Sequence, residues 1–189
     1  NVDGSPKLLI EGIGPKQVLT NSANIKASSN VNIDSISYTL KNSKTGERKM
    51  LASNLTLPAD LAFSPTNYNG EWTLQAEGLY NGKKIVSEEI PFRVYLGQIH
   101  GPQPIVEKSL YLDFASNLAK NSFNQTGMSA ALQTAQSILE TGWGQSGPVD
   151  KYTGLKSNNL FGIKGVGPAG SVTSTTWEVY NGVRYTVDA

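Results

Sequence analysis

Glu140 stands where a carboxyl group can do acid chemistry. It ends the apolar, helix-patterned run Ala135-Gln136-Ser137-Ile138-Leu139-Glu140 and meets Thr141-Gly142-Trp143-Gly144. A carboxyl group at a helix end beside an aromatic face is expected to be partly desolvated, which disfavours its charged form and raises its pKa. An acid that stays protonated near neutral pH can hand its proton to a leaving oxygen, as glycoside cleavage requires. Trp143 offers a flat face of the kind that packs on a pyranose ring, or else clamps the helix end in the core. Asn158 and Asn159 carry amides that can hydrogen-bond a ligand, or brace the loop before Leu160-Phe161-Gly162. Phe161 and Ile163 read as packing beside them. Asp113 and Asp150 read as exposed or capping residues.

Two stretches, Gln136-Ser137-Ile138-Leu139-Glu140-Thr141-Gly142-Trp143-Gly144 and then Asn158-Asn159-Leu160-Phe161-Gly162-Ile163-Lys164-Gly165, carry a family resemblance. Together and in this order they resemble the bacterial peptidoglycan glucosaminidases of glycoside hydrolase family 73, which are endo-β-N-acetylglucosaminidase-like. The resemblance implies a hydrolase of the β-1,4 bond between N-acetylglucosamine and N-acetylmuramic acid, secreted or associated with the cell wall. It implies Glu140 as the general acid, with Trp143, Asn158, Asn159 and Phe161 as substrate-binding residues. Peptidoglycan strands would be the partner, and no metal or organic cofactor is required.

Most glycosidases use a second carboxylate. Glu178, in Trp177-Glu178-Val179-Tyr180-Asn181-Gly182, resembles the acidic residue of the family's hairpin; otherwise it is an exposed hairpin glutamate. A general base here would stand about 6.5–9.5 Å from the acid, whereas a wider gap fits assistance by the sugar's own acetamido group. Two other readings stay open, a lytic transglycosylase and a non-catalytic wall-binding or spacer chain. The stretch Pro91-Phe92-Arg93-Val94-Tyr95 looks like a later strand of the family but precedes Glu140, and it reads as the last strand of the first domain.

The elements that must position these residues fall into two groups. Up to residue 96 the chain reads as short strands, at Lys7–Ile10, Asn24–Ala27, Ile33–Leu40, Glu71–Glu77 and Lys84–Tyr95. Alternation is clear at Ile36, Tyr38, Leu40 and at Trp72, Leu74, Ala76. Turns are expected at Thr45-Gly46, Asn69-Gly70 and Asn81-Gly82. Many short strands with regular turns predict an immunoglobulin-like β-sandwich over 1–96. Residues 97–106, rich in glycine and proline, read as a linker.

From 107 the period becomes helical. A first helix should start at Ser109 and bury Leu110, Phe114 and Leu118, with a loop at Asn121–Gly127. A second helix should run over 128–140, capped by Thr126 or Ser129, and bury Leu132, Ala135 and Leu139 while Glu140 looks toward a groove. Strands at Ser171–Tyr180 and Val183–Val187 flank the Asn181-Gly182 turn. The resemblance makes 107–189 the N-terminal part of an α+β, lysozyme-like domain, which in the family continues past the hairpin.

Composition bounds the chemistry. Over 189 residues there are 16 Lys+Arg against 15 Asp+Glu, a formal charge of +1. That balance gives no electrostatic case for nucleic acid or an anionic membrane, and no apolar run is long enough to insert in a bilayer. No leader pattern opens the chain, which reads as cytosolic or as a mature or trimmed exported chain. With no cysteine and one histidine, His100, thiolate sites, histidine cages and a Ser-His-Asp triad cannot be built.

Overall fold

The computed structural model describes residues 4–189. The chain divides into two compact units. One holds the residues up to Leu96 together with Thr176–Asp188; the other holds Gly97–Thr175 with Ala189.

The first unit is a β-sandwich. One sheet has the order β1 (Leu8–Glu11), β3 (Ala23–Ser29), β6 (Ala59–Phe63). The other runs β2 (Val18–Leu19), β9 (Ile90–Val94), β7 (Gly70–Tyr80), β4 (Asp34–Asn42), β5 (Arg48–Leu55), with β8 (Lys83–Val86) also pairing to β7. Its pairings are antiparallel except for β2 beside β9. Alternation sends Ile36, Tyr38 and Leu40 of β4 and Trp72, Leu74 and Ala76 of β7 into one core. There they meet Leu8, Ile10, Ile25, Ala27 and Phe63 of the facing sheet. The buried Tyr38 hydroxyl crosses the core to donate to the Ala59 carbonyl at 2.5 Å. Burial pushes its pKa up to about 12.

The Asn81-Gly82 and Asn181-Gly182 turns form as expected, with both residues at positive φ. Asn69-Gly70 does not make a hairpin. It joins β6 to β7, which lie in different sheets, and the Asn69 side chain accepts a bond from the Leu96 N–H. The single strand expected over Lys84–Tyr95 is two. Ser87 interrupts it, accepting from the Ala76 N–H through Oγ and donating its own N–H to the Ala76 carbonyl, so β8 and β9 share one side of β7. Strands β2, β5 and β6 were not legible. β2 is two residues long, and β5 runs with register shifts against β4 and shows no clean alternation.

The second unit contains α1 (Tyr111–Thr126) and α2 (Ala130–Thr141) after a 3-10 turn at Lys108–Leu110. Helix α1 runs through the loop expected at Asn121–Gly127 and stops at Gly127, which adopts φ +74°. Leu110, not Ser109, occupies its N-cap, without a side-chain bond. The buried face of α1 is Tyr111, Ala115 and Ala119, and that of α2 is Thr134, Ser137 and Thr141. The stripes read from hydropathy point the other way: Leu110, Leu118, Leu132 and Leu139 are exposed, Leu139 to 82%. Small side chains and hydrogen-bonded hydroxyls let the helices approach closely where leucines would hold them apart. Residues 97–106, expected as linker, are hydrogen-bonded into this unit. Gln103 exchanges both backbone bonds with Gly147, and the Ile105 N–H reaches the Gly144 carbonyl. Among the described residues no helix is long and apolar enough to cross a membrane.

Candidate active site

The end of α2 is built by a polar knot. Ser129 caps its start, accepting from the Leu132 N–H. At its other end Gly142 adopts φ +55°, and the Gly142 and Trp143 N–H groups both return to the Ile138 carbonyl. Thr141 Oγ1 is buried and accepts from the Gly144 N–H at 2.8 Å. It lies 2.6 Å from the Ser137 carbonyl and 3.0 Å from the Tyr111 hydroxyl. Gly144, at φ +73°, rests on the Tyr111 ring so closely that a Cβ there would come within 2.1 Å of it. Tyr111, Thr141 and Gly144 are thus the positioning residues that sequence reasoning passed over. The visible signal was a threonine in the last helical turn followed by Gly-x-Gly.

Glu140 sits in the turn this knot fixes, and its side chain is exposed. The partial desolvation expected for it is not supplied by the chain's own residues, because the turn sends the side chain outward. Trp143 is 41% exposed at φ +62°, so it is not the core clamp that one reading allowed. A bulky residue in the left-handed region is uncommon and costs on the order of 1–3 kcal/mol. Here that cost holds a large aromatic side chain partly in water, three residues after Glu140.

The loop after α2 carries the amides. Asn159 is occupied: its Nδ2 donates to the Ile163 carbonyl at 2.8 Å and its Oδ1 accepts from the Ile163 N–H at 3.1 Å. Asn158 is exposed and lines a small cleft of about 80 Å³ with Gln103, Ile105, Gly147, Pro148, Lys156 and Ser157. Phe161 is half-buried and Ile163 exposed. Asp150 anchors the loop. Its carboxylate accepts from the N–H groups of Tyr152, Thr153 and Thr173 and from the Thr153 hydroxyl. These bonds, that from Thr173 foremost, hold its pKa down to about 2.

Glu178 lies on β10 (Thr175–Tyr180), which pairs with β11 (Val183–Asp188). This hairpin packs with the sandwich. Tyr185 and Val187 are buried, the Tyr185 ring covers Gly14, Gln17 bridges to Val187, and the Tyr180 hydroxyl donates to Glu88 at 3.3 Å. Strand alternation puts Glu178 on the face of Tyr180, whose ring neighbours that of Tyr185, and sends Trp177 and Val179 to the other. Glu178 is exposed. Glu140 and Glu178 are therefore carried by different units. Asp113 is an exposed residue in the first turn of α1. Among the described residues no cluster of three or more His, Cys, Asp or Glu side chains could hold a metal.

Residues 116–189, which include Glu140, the amide loop and the hairpin, match the glucosaminidase family model, described as mannosyl-glycoprotein endo-beta-N-acetylglucosaminidase. This stretch is similar to the glucosaminidases. The chain is also similar to the exo-glucosaminidase LytG of Bacillus subtilis (strain 168), with 34% identity over 87 residues. Those residues are 46% of this chain and 29% of LytG, so the chain spans less than a third of that relative. A fibronectin(III)-like module of Clostridium thermocellum CbhA also matches, at 20% identity and a TM-score of 0.35. That match covers 48% of this chain and 97% of the module.

Proposed function

We propose that this chain carries part of a peptidoglycan glucosaminidase that hydrolyses the β-1,4 bond between N-acetylglucosamine and N-acetylmuramic acid, with Glu140 as the general acid. The observation that carries the reading is the strained turn at Gly142-Trp143-Gly144, which exposes a tryptophan three residues after the exposed Glu140 within the matched stretch. Backbone strain at a ligand-facing position is a recurrent mark of a functional site. A glycan stacked on Trp143 would exclude water from Glu140, so the substrate itself would complete the acid's environment. Glu140 then protonates the glycosidic oxygen as its bond to C1 breaks. Water adds to C1 as its proton passes to a base, a role for which Glu178 is the candidate that the family resemblance offers.

Asn158, with its amide uncommitted, is the better donor to an N-acetyl group, and Asn159 acts by holding the loop. The first unit is read as an immunoglobulin-like module. Residues 107–189 are read as the opening part of a lysozyme-like α+β domain of a secreted, wall-directed autolysin. LytG is named an exo-enzyme and the family an endo-enzyme; product lengths from defined glycan strands decide which mode applies.

Glu140→Gln removes the transferable proton while keeping size and shape. Glycan cleavage by the chain, or by the longer enzyme containing it, should fall by about 10²–10⁴-fold with unchanged circular dichroism. Retained cleavage would sink the assignment. Mass spectrometry of the wild-type products supplies a second discrimination: reducing ends support hydrolysis, whereas 1,6-anhydro ends mark a transglycosylase.

A further inference from the structure

The outward face of the β10–β11 hairpin presents an aromatic–cation pair that the chemistry above does not use. The Arg184 guanidinium lies 3.8 Å from the centroid of the Trp177 ring. Trp177 is 53% exposed, and Val179, on the same strand face, is also exposed. Among the described residues no carboxylate pairs with Arg184. By strand alternation, Glu178 lies on the opposite face from Trp177. The hairpin is fixed by its other side, where Tyr185 and Val187 are buried and Arg93 lies 3.6 Å from Asp188. Its outward face is therefore held rigid without being consumed by packing.

An exposed indole offers a flat apolar surface to a sugar ring. A guanidinium stacked on that indole is already oriented, keeps its N–H donors at its edges, and matches a carboxylate in fork geometry. We propose that Trp177 and Arg184 form a recognition platform for a carboxylated glycan, with the ring of one sugar on Trp177 and a carboxylate borne by that sugar's substituent on Arg184. This deepens the reading above and rests on it for the substrate class. Peptidoglycan carries such carboxylates on the muramyl lactyl group and on the peptide stems, whereas a polymer of N-acetylglucosamine alone has none. The pair would thus select muramyl strands over uncharged amino-sugar polymers.

The test is binding, read by tryptophan fluorescence and calorimetry on the full chain. The ligands are chitotetraose, peptide-free peptidoglycan strands with free lactyl carboxylates, and strands bearing stems. Arg184→Gln should weaken binding to a carboxylated ligand by roughly tenfold, the loss of one charge-assisted hydrogen bond, and leave chitotetraose within about twofold. Trp177→Ala should weaken all three ligands by roughly tenfold. Arg184→Lys should restore only part of the loss, because ammonium lacks the fork. Loss confined to peptide-free strands assigns the lactyl carboxylate; loss confined to stem-bearing strands assigns the peptide. The proposal is overturned if Arg184→Gln weakens chitotetraose equally, or if neither variant changes any affinity while both melt like the wild type. The two claims fail separately: retained cleavage in Glu140→Gln sinks the acid assignment alone, whereas unchanged affinities in Arg184→Gln and Trp177→Ala sink the platform alone.

Discussion

At the scale of single residues, the functional stretch depends on small side chains whose work is positional. Thr141 is the clearest case. Its hydroxyl links the last turn of α2, the Tyr111 hydroxyl and the Gly144 backbone, so the residue after Glu140 fixes the turn that ends the helix. Asp150 plays the same part for the loop carrying Asn158 and Asn159. Its carboxylate is held at about pKa 2 by hydrogen bonds, against a usual 3.8. A depressed carboxylate stabilises the fold above its unfolded pKa, and this contribution disappears as pH falls from about 4 towards 2. Asp150→Asn should lower the melting temperature at pH 7 and narrow its gap to wild type as the pH drops to 2. A constant gap across that window would show that the carboxylate's charge is not the source.

At the scale of elements, the decisive junction is the end of α2. Three successive positive φ values, at Gly142, Trp143 and Gly144, reverse the chain so that Gly144 can lie on Tyr111. Gly144→Ala puts a Cβ into that ring and adds a left-handed alanine. The change should cost roughly 2–4 kcal/mol from strain and overpacking. Hydrogen exchange should then show α2 amides losing protection while β4 and β7 keep theirs. Equal loss in the strands would mean that the junction is not local to its unit. The helix faces carry a related lesson. Hydropathy placed the leucines inside, yet Tyr111, Ala115, Ala119, Thr134, Ser137 and Thr141 are the buried set. Periodicity reports which residues share a face; it does not report which face meets the partner helix when the contact is made by small and hydroxyl side chains.

At the scale of the whole molecule, sequence neighbourhood and structural membership part company. The hairpin lies within the stretch that matches the glucosaminidase family, yet it packs in the unit formed by the sandwich. Tyr185, buried against Gly14, is the main tie, and Tyr185→Ala removes a large ring. The substitution should destabilise the sandwich by about 3–5 kcal/mol, lowering protection of β2 and β9 and leaving α1 and α2 unchanged. A loss seen first in the helices would overturn this membership. The outward Trp177–Arg184 face belongs to the same scale, since its rigidity depends on how well the hairpin's other face is seated.

The sequence by itself determined the β-strands whose residues alternate cleanly and the Asn81-Gly82 and Asn181-Gly182 hairpins, and it narrowed the α2 cap to Thr126 or Ser129, because these follow from side-chain period and local backbone preference. It also carried the glucosaminidase resemblance, through two short motifs. Only the tertiary structure decided which sheet each strand joined, that Asn69-Gly70 crosses between sheets, and that Glu140 and Trp143 are turned into solvent. It also decided that Asn159 is spent on the Ile163 backbone while Asn158 is not. Most of these depend on a partner distant along the chain, such as Tyr111 for Gly144, just as Tyr38 depends on Ala59 and Tyr185 on Gly14, and local pattern carries no information about which distant group will be there.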